Sequence, residues 1–188
     1  MPFAPNGGAN YFQETGTSST LEPKGIVISM KNSDVTPIQS FQVDHTLLAE
    51  GIYISRKDGD IITYDLRTRR PNCGDYMDNE TMHTFEHMFA TYVRNSEISD
   101  EVIYFGPMGC QTGFYLLVRD SVSPQRVRDI TAGILKKIIA HEGDVFGNSE
   151  IECGNYRTLK LSAATSEARR YLSVLENDPT PSFEYRKA

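Results

Sequence analysis

The sequence predicts an α+β fold in a single domain, an antiparallel sheet with helices packed on it. Two observations carry this. Short apolar and aromatic runs come in close pairs, Gly51 to Arg56 with Ile61 to Leu66 and Val102 to Phe105 with Phe114 to Val118, and each pair is followed by a segment of helical period. A length of 188 residues and a net charge of −6 suit one compact soluble unit.

Taken in chain order, residues 1–36 are rich in Gly, Asn, Ser, Thr and Pro and show no periodicity before Leu21. That composition reads as a flexible arm preceding a domain over 37–188. Gly25 to Ser29 is a candidate short strand, and Met30 is a candidate alternative start. The arm lacks the basic start and apolar core of a signal peptide, and no run is long enough to cross a membrane.

After the first strand pair, a helix is expected from about Met82 to Arg94. Its apolar residues Phe85, Phe89, Tyr92 and Val93 recur at three-and-four spacing. The second pair brackets a glycine-rich turn, Gly106-Pro107-Met108-Gly109-Cys110, leading into the strand that ends at Val118. The next helix spans Pro124 to Ala140, with Ser123 as N-cap, Pro124 at N1 and Val127, Ile130, Ile134, Leu135 and Ile138 on the buried face. A third helix covers Ala163 to Glu176.

The chemistry concentrates in three stretches: His83-Thr84-Phe85-Glu86-His87, the turn ending at Cys110, and Glu152-Cys153-Gly154-Asn155-Tyr156. On a helix, His83 and His87 lie one turn apart and can converge on one ion, with Glu86 at the i+3 position from His83. This is the H-x-x-E-H order of inverted zinc peptidases. The competing view is two surface histidines beside a solvated glutamate. Glu86 between them, in a chain with only four histidines, favours metal.

Three cysteines, an odd number without a C-x-x-C pair, argue for reduced intracellular thiols and not for a disulfide framework. Cys153, after the polar stretch Gly147 to Glu150, completes a His-His-Cys set that leaves a fourth position open, as in a catalytic site. Cys110 is placed at a turn, although an unpaired cysteine is also an ordinary small core residue. Cys73, in a loop beside Pro71 and Asn72, has no such partners. A pI near 5.2 argues against nucleic acid or an anionic membrane as partner. Neither a dinucleotide nor a P-loop motif occurs.

From Ser40 to about Tyr171 the chain resembles the S-ribosylhomocysteine lyase (LuxS) family in the order and spacing of five blocks. These are Ser40 to Thr46, Tyr64 to Arg67 with Pro71-Asn72, His83 to His87, Pro107 to Tyr115, and Cys153 to Tyr156. The resemblance implies a cytoplasmic enzyme of methyl-donor recycling that cleaves S-ribosylhomocysteine to homocysteine and 4,5-dihydroxy-2,3-pentanedione, the autoinducer-2 precursor. It further implies His83, His87 and Cys153 as metal ligands, Glu86 and Cys110 as the acid/base pair, and Ser40, His45 and Arg67 as substrate-handling residues. The implied ion is ferrous iron, replaceable by zinc or cobalt, and the implied assembly is a homodimer with active sites between subunits. Read without the resemblance, Arg67 at a strand end would be an ordinary solvated charge.

The chain departs from that pattern in places. Tyr104, Phe105 and Gly106 fill positions where an acidic residue and a serine are common, Phe85 stands where leucine is commoner, and Leu47 to Arg56 differs from the usual form. The rival readings are a metal-dependent hydrolase or peptidase of the H-x-x-E-H type and a structural metal domain. The peptidase leaves Cys110 and Cys153 without roles, and the structural site wants four closed ligands.

Overall fold

A computed structural model describes residues 35–178 and 181–185. The expected arm up to residue 34, the strand at Gly25 to Ser29 and the alternative start at Met30 lie outside the described residues. Four strands, β1 (Gly51–Asp58), β2 (Ile61–Arg67), β3 (Val102–Pro107) and β4 (Phe114–Arg119), form an antiparallel sheet in the order β1-β2-β4-β3. Three helices, α1 (Asn79–Arg94), α2 (Pro124–Ile139) and α3 (Leu161–Asn177), pack as the α+β reading expects.

Strand alternation sorts the residues of the sheet into two faces. Register aligns Ile54, Tyr64, Leu116 and Phe105 in one row across all four strands, and Ile52, Leu66 and Phe114 in the next. These side chains form the core beneath the helices. In β3 a bulge between Val102 and Tyr104 lets Val102 and Phe105, three apart, both be buried while Tyr104 stays exposed. Sequence alternation alone would have put Val102 and Tyr104 on the same face.

Helix α1 begins three residues before the expected Met82, because Asp78 accepts from the Thr81 N–H at 2.7 Å and caps it. Phe85, expected to face the core, is 1 % exposed. A ladder of stacked rings, Phe85 on Phe114 at 4.8 Å, Phe114 on Phe105 at 5.2 Å and Phe105 on Phe89 at 4.3 Å, fastens this helix to β3 and β4. Tyr92 and, in α2, Ile130 are only half-buried, while Met88 and Thr131 take fully buried positions. Ser123 caps α2 with Pro124 in its first turn, as expected.

Candidate metal centre and active site

The aromatic ladder holds α1 so that its polar side faces the loop before α3. There one nitrogen each of His83 and His87 and the sulfur of Cys153 lie within 4.8 Å of one another. The His83 Nε2 is 3.4 Å from the Cys153 Sγ. Around the trio, a set of contacts decides which atoms face inward. The Thr158 hydroxyl donates to the Asn155 carbonyl at 3.1 Å, so toward His83 Nδ1, also 3.1 Å away, its oxygen can only accept. His87 Nδ1 lies 2.8 Å from the Phe146 carbonyl, which can only accept. Both imidazoles therefore carry a proton on Nδ1, and in the neutral ring this leaves Nε2 as the lone pair, the tautomer a metal ligand needs. Burial, followed by the nearby His87, pushes the His83 pKa down, which favours the neutral ring that binds a cation.

The loop is shaped for the same purpose. Cys153 is reached through a turn closed by its N–H to the Ser149 carbonyl at 3.0 Å, and its sulfur accepts from the Asn155 N–H at 3.4 Å. Gly147 has a φ of +69°, and a Cβ there would come within 3.0 Å of His87 Nδ1. A side chain would thus meet both a left-handed backbone and a ligand ring. Thr84 accepts from the Lys160 N–H at 3.0 Å and ties the loop's end to α1.

Glu86 lies beside this group, with Oε2 at 3.9 Å from His87 Nε2. Burial raises its carboxyl pKa, against a smaller opposing pull from His87, in the direction a general acid requires. His83 and Glu86 line a cleft of about 430 Å³ together with Asn79, Met82, Pro107, Asn155 and Thr158.

Cys110 sits at the exposed end of the β3–β4 hairpin. Beside it Gln111 is left-handed at φ 64°, a conformation costing a residue with a side chain roughly 1–2 kcal/mol. It is held by the Gln111 N–H to the Met108 carbonyl and the Met77 N–H to the Gln111 carbonyl, each 3.0 Å. Gly113 lets the hairpin close on β2, since a Cβ there would strike the Leu66 carbonyl at 2.6 Å.

Arg67 is not the solvated charge that its strand-end position suggests. It is 3 % exposed and paired to buried Asp65, Nη2 to Oδ2, at 2.6 Å. Its Nη1 donates to the Thr112 hydroxyl at 2.5 Å and reaches the Cys110 Sγ at 3.7 Å, with Thr112 Oγ1 3.1 Å from the same sulfur. Ser40 lines a second cleft with Tyr104 and Tyr115, and His45, whose Nδ1 lies 2.8 Å from the Val43 carbonyl, interacts with Asp65. Among the described residues, the lining of the cleft at His83 includes neither of them, nor Arg67.

The structure thus gathers His83, His87, Cys153 and Glu86, and separately Arg67 with Cys110. Sequence reading gave no role to Asp65, Thr112, Gly147 or Thr158. For Asp65 a signal existed, since Asp65 and Arg67, two apart on a strand, must share one face. For Thr158 and Gly147 none did. Tyr104 lies over Gly106, where a Cβ would fall 2.0 Å from the phenol oxygen, so the two departures from the family pattern accommodate each other.

An α+β domain that gathers two imidazoles and a thiol, with a carboxyl beside them, has the donors of a metalloenzyme, and the set suits several divalent ions. A sequence model of the family S-Ribosylhomocysteinase (LuxS) matches residues 38–180, and the chain belongs to this family. Proteins named S-ribosylhomocysteine lyase are similar to it. That of Borreliella burgdorferi is 39% identical over 79% of this chain and 98% of its own length. That of Finegoldia magna is 41% identical over 74% and 92%, and that of Desulfotalea psychrophila 40% identical over 79% and 97%.

Proposed function

We propose that this protein is a metal-dependent carbon–sulfur lyase that cleaves S-ribosylhomocysteine to L-homocysteine and 4,5-dihydroxy-2,3-pentanedione, supplying the autoinducer-2 precursor while recycling homocysteine. The observation that carries this reading is the gathering of His83, His87 and Cys153, with Glu86 beside them and a cleft lined by His83 and Glu86, in a chain of this family. His83 and His87, through Nε2, and Cys153, through sulfur, hold the ion. Ferrous iron is the ion proposed, with zinc or cobalt able to replace it. When bound, the ion supplies Lewis acidity that stabilises charge developing on the sugar's carbonyl oxygen.

Moving a carbonyl along the sugar requires removing the proton beside it and returning one a carbon further on. Cys110 is the base, and the guanidinium of Arg67 is the cation beside its sulfur, at 3.7 Å. Glu86, half-buried beside the ligands, carries the remaining protons. Two such shifts leave the sulfur-bearing carbon beta to the carbonyl. Loss of the intervening proton then expels the sulfur, which Glu86 protonates. Ser40 and His45 handle the substrate, and Arg67 acts on it from behind Cys110.

A homodimer with active sites between subunits is the assembly proposed. It is supported by the absence of Ser40 and His45 from the lining of the His83 cleft and by the exposure of Phe41 and Tyr104. Sedimentation at micromolar concentration should give twice the chain mass. Residues 37–188 form the lyase domain and 1–36 a dispensable arm, so a chain starting at Pro37 should retain turnover. The free thiols of Cys73, Cys110 and Cys153 suit a reducing cytoplasm.

The decisive experiment incubates anaerobically purified, iron- or cobalt-loaded protein with S-ribosylhomocysteine and follows free thiol, with a chelated sample as control. Metal-dependent release of homocysteine is expected. No release from folded, metal-bound protein would overturn the proposal in favour of a hydrolase using the same ligands.

A further inference from the structure

The family match ends at residue 180, yet the chain continues as Pro181–Tyr185 beside the edge strand β1, and its Tyr185 reaches the Asp65 side of the sheet. The Ile54 N–H donates to the Phe183 carbonyl at 2.8 Å, and the Phe183 side chain packs against the core. Phe183 is left-handed at φ 57°. Beyond it, the Tyr185 ring stacks on Tyr53 at 5.1 Å, and the Tyr185 hydroxyl donates to Asp65 Oδ2 at 2.8 Å. That oxygen is the one which also accepts from Arg67 Nη2. The four groups form an unbroken string, Tyr185 to Asp65 to Arg67 to Cys110.

Asp65 is fully buried, and its other oxygen, Oδ1, has no hydrogen-bond partner among the described residues. A buried carboxylate with so few donors must draw hard on those it has. Burial pushes its pKa up, and Arg67, then Tyr185, oppose that rise. The other ionisable groups that interact with this carboxylate are His45, which favours its charge, and the phenols of Tyr115 and Tyr171. The phenolic hydroxyl takes up part of the carboxylate's charge and leaves the guanidinium free to face the thiol.

We propose that Tyr185 is a positioning residue for Cys110, its hydroxyl satisfying Asp65 so that Arg67 stays directed at the sulfur, and that Pro181–Tyr185 is a strap completing the environment of the thiol. This rests on the reading of Cys110 as the acid/base thiol, and it adds a residue beyond the matched family segment.

The test is Tyr185→Phe in the metal-loaded full chain, which keeps the ring on Tyr53 and removes only the hydroxyl. Alkylation of Cys110 by iodoacetamide is followed at several pH values by the mass of its peptide, apart from Cys73 and Cys153. Without the hydroxyl, Asp65 pulls the guanidinium toward itself. The pH midpoint of alkylation is expected to rise by roughly half a unit, part of the worth of one hydrogen bond to a charged group. Homocysteine release should slow, with metal content unchanged. Adding Tyr185→Phe to Asp65→Asn should shift the midpoint no further, as a string acting through Asp65 requires. A midpoint that stays or falls in the single variant overturns the proposal. Because alkylation needs no substrate, it decides the strap even if the wild-type protein fails to release homocysteine.

Discussion

The two faces of β2 differ in how they are buried. Toward the helices, Tyr64 and Leu66 sit in rows of apolar neighbours, Tyr64 between Ile54 and Leu116 and Leu66 between Ile52 and Phe114. Toward the other side, Asp65 lies between Tyr53 and Tyr115, and Arg67 opposes Gly51. Residues Thr63 to Arg67 are buried on both faces. One face is held by non-directional burial of apolar area, which tolerates approximate shapes. The other is held by a paired charge, which stabilises only while each partner remains. The apolar face carries α1 and hence the metal ligands, and the charged face backs Cys110.

The widest separation between the two systems is expected in the thiols. Cys110→Ala should abolish turnover, by at least about a thousandfold for an essential acid/base group, while metal content stays at wild-type level. Cys153→Ala should abolish turnover and metal content together, read by metal analysis of the same samples. If Cys110→Ala also loses the metal, the two cysteines have been given each other's roles.

Stability sharpens the comparison next. Asp65→Ala leaves the Arg67 guanidinium buried and unpaired, and should cost about 3–5 kcal/mol in urea unfolding. Leu116→Ala on the helix side should cost a similar roughly 2–5 kcal/mol through lost burial and a cavity. The variants separate in alkylation of Cys110 under folding conditions. Asp65→Ala should change its pH dependence, while Leu116→Ala should leave it as in wild type. Equal effects would mean that the thiol answers to general loosening and not to the charge string.

How legible all this was follows from the same division. Helix periods, strand pairs and the His83-x-x-Glu86-His87 order are local patterns, so the apolar face, two of the three metal ligands and Glu86 stood out in the chain. Arg67 was flagged, but its burial was not foreseen. Its buried partner Asp65 is also bonded by Tyr185, 120 residues away in sequence. Long-range closure of that kind leaves no periodic trace. Thr158 and Gly147 were hidden for a related reason: their value lies in what they leave to another side chain, a proton position on His83 and space for His87.

Thr158 gives a smaller effect confined to the metal side. Thr158→Val keeps the shape and removes the oxygen that accepts from His83 Nδ1. Metal affinity should fall about 10- to 100-fold, as when other outer-shell partners of histidine ligands are removed. Competition with a chelator reads this directly, and the alkylation midpoint of Cys110 should not move. A shift there would show the two systems to be one.

The smallest effect lies at the start of the helix that carries His83 and His87. Asp78 is exposed and accepts from the Thr81 N–H, and that bond, backed by the positive end of the helix, holds its pKa below the usual carboxylate range. A folded-state pKa lowered in this way adds stability above the unfolded pKa and loses it as pH falls through the folded value. Asp78→Ala should therefore cost about 1 kcal/mol at neutral pH, and the gap from wild type should close under acid conditions below the ordinary aspartate range. Urea midpoints at neutral and acid pH test the sign. A gap that widens on acidification would mean that the capping oxygen is not acting as a carboxylate. If the fall in stability loosens the first turn of α1, metal affinity should drop with it while Cys110 is unaffected, because the thiol is held from β2 and not from this helix.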